Sequence, residues 1–313
     1  MNRRAWTLLL VLAALWGSSY LFIKVALDEL SPAMIVFSRT ALAALILLPF
    51  ALATGALAGL RGRSRAVVAL AFVQIAAPFA LITFGERYIS SSLTGILVAS
   101  APIFTALLAP FLDHAERSSG MRLVGVWVGI VGVAVLLGFD AGDGPLALAG
   151  GLMVVLAGAC YALAGFYFKR RFADVAPVGA VTVAMVAVAA MLAVPAALSA
   201  PTEMPEAITL GALAALGVGG TGIAFVIFYT LLGTVGPART SLVAYIAPGF
   251  AVIYGVTLLG ERFTLATLAG LALIVGGSWL AAGGRLPLRG ARHARVGASA
   301  RIPATETERR VTP

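Results

Sequence analysis

Ten apolar runs of about 20 residues follow one another along this chain with only short polar breaks between them, and no other feature narrows the possible folds as far. A hydrocarbon core about 30 Å thick is crossed by roughly 20 helical residues rising 1.5 Å each. In lipid every backbone N–H and C=O must be satisfied within a helix or a closed barrel. The runs are continuously apolar and lack the alternation a barrel strand needs, so they read as helices. They are predicted at 6–25, 33–53, 66–84, 92–112, 121–139, 146–168, 178–198, 208–231, 240–259 and 264–282. The composition agrees. Of 313 residues, 61% are hydrophobic and 11% charged, with a mean hydropathy of +1.02, against roughly 25% charge in a soluble domain.

The net charge of +9 would raise the question of nucleic acid in a soluble protein, but here the basic residues lie between spans and in the tail. Ten spans put both termini on one side. Placing that side in the cytoplasm puts inside Arg3, Arg4, Arg61, Arg63, Arg65, Arg117, Arg122, Lys169 to Arg171, Arg239 and seven tail arginines, 18 of the 22 Lys and Arg. The segments 140–145 and 199–207 carry Asp140, Asp143, Glu203 and Glu206 and no Lys or Arg, as outside loops should. The expectation is a multi-pass protein of the cell (inner) membrane with both termini cytoplasmic. The start, with two arginines before an apolar run, resembles a secretory signal. Its run is too long and no small-residue cleavage pattern ends it, so it reads as a retained first helix. Residues 284–313, poor in apolar residues and rich in arginine, read as a basic, disordered cytoplasmic tail held near anionic lipid. Cys160, the single cysteine, lies in an apolar run and permits no intrachain disulfide; it reads as a small buried hydrophobe.

The chain also aligns with itself at an offset of 145 to 146 residues. Lys24 meets Lys169, Pro32 meets Pro177, Pro49 meets Pro195, Phe79 meets Phe225 and Thr94 meets Thr240. Ala101-Pro102-Ile103-Phe104 meets Ala247-Pro248-Gly249-Phe250, and Glu116-Arg117 meets Glu261-Arg262. Each repeat holds five spans, an odd number, so the second must run through the bilayer upside down. The predicted fold is an all-α membrane protein of ten transmembrane helices in two inverted five-helix repeats: 1–139 (helices 1–5) and 140–283 (helices 6–10), followed by the tail. Two halves of similar fold and opposite orientation can exchange conformations, as alternating access requires. The glycines of 125–129 and 217–222 would let helix backbones approach closely.

Leu15-Trp16-Gly17-Ser18-Ser19, the Ser31-Pro32 turn with Phe37-Ser38-Arg39, Ala101-Pro102, Ala247-Pro248 and Leu259-Gly260-Glu261-Arg262 occur in an order and spacing that resemble the EamA-type exporters of the drug/metabolite transporter (DMT) superfamily, across roughly residues 5 to 282. The resemblance implies ten helices in inverted halves and export of amino acids, their derivatives or other small metabolites through a central cavity.

A charged side chain at bilayer depth costs about 2.5–3.5 kcal/mol on insertion scales and marks a functional position by default. Arg39 qualifies, about six residues or roughly 9 Å from the outer end of helix 2. Two roles stay open for it: a structural one, capping carbonyls or pairing with Asp28 or Glu29, and attraction of a substrate carboxylate. Lys24, nearer a span end, reads as an interface anchor. No span carries Asp or Glu near its centre, which disfavours proton coupling through a midplane acid. Glu86, Glu116 and Glu261 sit at span ends, each expected to pair with the arginine that follows it. Proton or ion coupling and a homodimer remain open as partners of the transport reading.

The remaining polar and aromatic residues at depth are Trp16, Ser18, Ser19, Tyr20, Gln74, Tyr161, Tyr167, Tyr229 and Tyr245. With Arg39, and leaving out Tyr167, they form the candidate substrate cavity, suited to mostly apolar solutes oriented by a few hydrogen bonds. Pro102 and Pro248 are candidate hinges, since each removes a helical hydrogen bond and leaves a carbonyl free. No catalytic residue, cofactor or metal site is predicted. His114 and His293 lie in a loop and the tail, and no cluster of nucleophiles, bases or ligands accompanies them. The rival reading within the same fold is a flippase for lipid or lipid-linked carrier, whose phosphate would ask for several cavity cations where Arg39 stands alone.

Overall fold

The structure, a computed structural model, describes residues 1–112, 120–139 and 144–284. Glu116, Arg117, His114, Asp140, Asp143 and the tail lie outside the described residues. Ten long helices account for nearly all of the rest: α1 (Arg3–Ala26), α2 (Pro32–Ala53), α3 (Ser64–Gly85), α4 (Ser91–Leu112), α5 (Met121–Phe139), α6 (Pro145–Arg171), α7 (Pro177–Leu198), α8 (Ala207–Val235), α9 (Pro237–Leu258) and α10 (Leu265–Ala281). The first nine are long and apolar enough to cross a membrane; α10 is a shorter apolar helix. No end departs from the boundaries read in the sequence by more than four residues.

Local chemistry sets those ends. Pro32, Pro145, Pro177 and Pro237 open α2, α6, α7 and α9, where a missing N–H costs nothing and the fixed φ suits a first turn. Ser31 and Ser90 accept hydrogen bonds from Met34 N (3.1 Å) and Leu93 N (3.2 Å), and Thr264 forms a capping box with Thr267 at the start of α10.

The helices pack through small residues, since lipid offers no hydrophobic gain for bringing them together. A Cβ on Gly85 of α3 would lie 2.6 Å from the Gly150 carbonyl oxygen of α6, and one on Gly150 would lie 2.7 Å from the Gly85 oxygen. The backbones touch there, and no side chain fits between them. The same holds for α5 and α10, where Gly125 and Gly129 face Gly277. Large apolar side chains such as Leu45, Phe111, Trp127, Leu198 and Leu265 are exposed on the outer surface. Patches of that kind are rare on soluble monomers; lipid is their natural solvent.

Two ends of the bundle are tied differently. At one, Lys24 Nζ donates to the carbonyls of Glu86 (2.8 Å) and Ile89 (2.9 Å), Ser31 and Ser199 share a hydroxyl hydrogen bond, and Glu206 N donates to Glu29 Oε2. Glu261 accepts from Ser91 N (2.6 Å), Ser92 N (2.9 Å) and the Ser92 hydroxyl, placing a carboxylate on the positive N-terminus of α4. At the other end Arg63 forms a two-pronged ion pair with Asp174 and donates to the Arg171 carbonyl.

Among the described residues four helices are irregular, α9 among them, which breaks at Ser241 and Leu242 between Pro237–Thr240 and Val243–Leu258. α3 and α8 widen into π-helical turns at Phe72–Ala76 and Ala215–Ile223, and an offset of 146 carries the first segment inside the second. α4 breaks at Ala99 and Ser100, between Ser91–Val98 and Ala101–Leu112.

A cavity between the two repeats

The bundle holds a cavity of about 300 Å³, lined at two of the irregular positions by Gln74 and Ala99, at the small end of the range for small-molecule sites. Its wall comes from α1, α2, α3, α4, α6, α8 and α9; α5, α7 and α10 contribute nothing. From α1 come Trp16, Ser19 and Tyr20, which share one face at i, i+3 and i+4. Ser18 falls on another face, its hydroxyl turned onto the Leu15 carbonyl (3.0 Å), and lies outside the lining. Arg39, Gln74, Tyr161 and Tyr229 line the cavity. Tyr245 does not; α9 instead presents Ala244, Ala247 and Pro248.

Besides small and aliphatic lining residues such as Ile82 and Val98, four aromatic or hydroxyl residues at the site escape the sequence reading. Phe225, one turn before Tyr229, and Phe228, next to it, meet Trp16 edge-on and tilted, with ring centroids at 6.2 and 5.3 Å, making an aromatic wall. Phe79, the repeat mate of Phe225, lies under Arg39. Thr221, in the π turn of α8, holds Arg39 from the side. The match of Phe79 with Phe225 and the glycine run around Thr221 were the available signals.

Arg39 is 7% exposed. Its Nε donates to Thr221 Oγ1 at 2.8 Å, whose own hydroxyl donates to the Leu216 carbonyl at 2.8 Å. The guanidinium carbon stands 3.7 Å from the Phe79 ring centroid, a cation–π contact. Pairing with Asp28 or Glu29 is therefore not what holds it: both acids lie beyond the end of α1, and a threonine and a ring take their place.

The span-end acids also depart from expectation. Glu261 caps α4 across the bundle and does not pair with Arg262. Glu86 is fully buried, and neither carboxyl oxygen has a hydrogen-bond partner among the described residues. Lys24, expected at the interface, is drawn inward to two backbone carbonyls because these acceptors sit where its stem reaches.

Pro102 and Pro248 both line the cavity, as do Val98 and Ala244, the residues four positions before them. A proline has no N–H to return to that carbonyl. The two prolines act on different backbones, however. Pro102 sits in the first turn after the break in α4, whereas Pro248 lies inside a continuous helical segment.

A bundle of helices long and apolar enough to cross a membrane, around a mostly apolar cavity, is an architecture that suits a membrane transporter. The chain belongs to the EamA-like transporter family, which it matches over residues 4–138 and 148–283. It is 26% identical to the uncharacterized transporter YdfC of Bacillus subtilis (strain 168), covering 85% of this chain and 87% of that one. It is 27% identical to the uncharacterized inner membrane transporter YedA of Escherichia coli (strain K12), covering 85% of each. A probable amino-acid metabolite efflux pump of the same E. coli strain is 26% identical, covering 90% of this chain and 95% of the other. A solved crystal structure superposes with a TM-score of 0.65 at 24% identity, covering 90% of this chain and 97% of that chain, a likeness of fold alone.

Proposed function

We propose that the protein is a secondary transporter that exports small metabolites, such as amino acids, their derivatives or similar weakly charged solutes, by alternating access of two inverted five-helix halves. The observation that carries this reading is the cavity itself, lined by α1 to α4 of the first repeat and α6, α8 and α9 of the second, with a proline at repeat-related positions in each, Pro102 and Pro248. Opposite orientation of the halves is supported by the packing. The end that gathers Lys24, Glu86 and Ser91 also receives Ser199, Glu206 and Glu261, so α6 starts where α1 finishes. The basic residues argue that this end faces outward. Export is supported by similarity to the efflux pump.

Reconstitution tests the reading. Purified protein in liposomes loaded with radiolabelled amino acids and related metabolites is expected to move at least one of them faster than protein-free vesicles. No movement across the panel, with translocation of labelled lipid in parallel vesicles, would overturn it in favour of a flippase.

A further inference from the structure

Arg39 is a buried cation whose protein partners leave it incomplete. Its Nε is taken by Thr221 and one face is covered by Phe79. Among the described residues neither terminal NH2 group has a hydrogen-bond acceptor, and no carboxylate lies within 4 Å of it. The side chain lines the cavity, so the open edge of the guanidinium fork faces the space a solute would fill. A buried charge is costly unless paired and hydrogen-bonded, and a planar fork with two free N–H edges matches a carboxylate in two-pronged fashion.

Among the described residues the lining contains no aspartate or glutamate. An ammonium group in the cavity would meet Arg39 as a like charge in a poorly screened setting and would find ring faces and hydroxyls but no carboxylate. A dianion would carry one charge more than the cavity balances. Trp16, Phe225 and Phe228 supply an aromatic surface for an apolar body.

We propose that the cargo is a monoanion: an amphipathic carboxylic acid, such as an N-acylated amino acid or an aryl-substituted acid, taken in preference to a zwitterionic amino acid. This rests on the transporter reading above and specifies the solute of the same cavity. Arg39 selects the acid by charge and geometry, Thr221 holds the fork in place, and the aromatic wall accepts the rest.

The experiment compares three ligands of one shape on detergent-purified protein: N-acetylphenylalanine (monoanion), phenylalanine (zwitterion) and N-acetylphenylalanine amide (neutral), each with its leucine counterpart, by ligand-induced thermal stabilisation and by counterflow in liposomes. Wild type is expected to favour the acid over both others by at least about tenfold. Arg39→Gln should erase the preference of acid over amide, Arg39→Lys should keep part of it, and Thr221→Val should weaken it. The readout is a ratio within each variant, so a change in protein yield leaves it unmoved, and Thr221→Val tests the point with the guanidinium still present. Equal or tighter binding of the free amino acid, with transport intact, would overturn the monoanion while leaving the transporter standing. Absence of both binding and counterflow for all six ligands and for the wider metabolite panel would overturn both readings.

Discussion

Glu86 is one residue past the end of α3, and burial without a hydrogen-bond donor pushes its carboxyl well above the ordinary carboxylate range, with Glu261 adding to the rise and Lys24 and Arg39 opposing it. Folding therefore favours the protonated form. Its contribution to stability is fully present below the unfolded glutamate value of about 4.3 and is lost as the pH rises through the higher folded value. Thermal unfolding in detergent should show stability falling with rising pH over that window, and Glu86→Gln should flatten the slope and raise the neutral-pH midpoint by about 2–4 °C. An unchanged slope in the variant would refute the assignment. Individual residues were the least legible scale of this protein. Trp16, Ser19, Tyr20 and Arg39 stand out in sequence because polar or aromatic groups at depth are conspicuous against aliphatic neighbours. Thr221 and Phe228 do not, because a threonine among glycines and a phenylalanine among apolar residues look like packing until Arg39 and Trp16 are seen beside them.

At the scale of helices, sequence and structure agree closely, because membrane thickness and proline or serine starts bound each span from both sides. The irregularities inside the spans were less visible. Pro102 marks a real break in α4, three residues downstream of it, but no residue type announces a π turn, whose extra residue per turn depends on what the neighbouring helices demand. In α8 the demand is visible: Gly217 and Gly222 bring the widened turn against Leu42 and Ile46 of α2. The prolines should differ in consequence. Pro248→Ala lets an N–H reach the Ala244 carbonyl within a continuous helix and is expected to slow counterflow severalfold with normal membrane expression. Pro102→Ala, in a first turn that needs no such donor, should have the smaller effect. The comparison of the two rates checks the hinge, and equal effects would show that the break in α4, and not the missing bond, governs movement.

For the molecule as a whole, orientation is the property the basic residues argue most directly. In a Cys160→Ala background, Glu203→Cys is expected to react with a membrane-impermeant maleimide on intact cells, and Ala173→Cys only after permeabilisation; the reverse pattern would invert the topology. The repeat is visible in outline, since an offset near 146 residues survives in prolines and helix-end motifs and the family matches the chain twice, over 4–138 and 148–283. It did not supply the chemistry, because the chemistry is where the halves part company. The π turns occupy matching places, yet Gln74 in one corresponds to Gly220 in the other. Arg39 corresponds to Ala184 or Met185, both buried and uncharged. A scaffold whose two halves match in shape but not in charge is a weighted balance. In the proposed alternating-access cycle, swapping the conformations of the halves would give back a similar outline with the cation set in different surroundings, so the empty protein would rest unequally between its two openings, and a cargo that neutralised Arg39 would shift the weight.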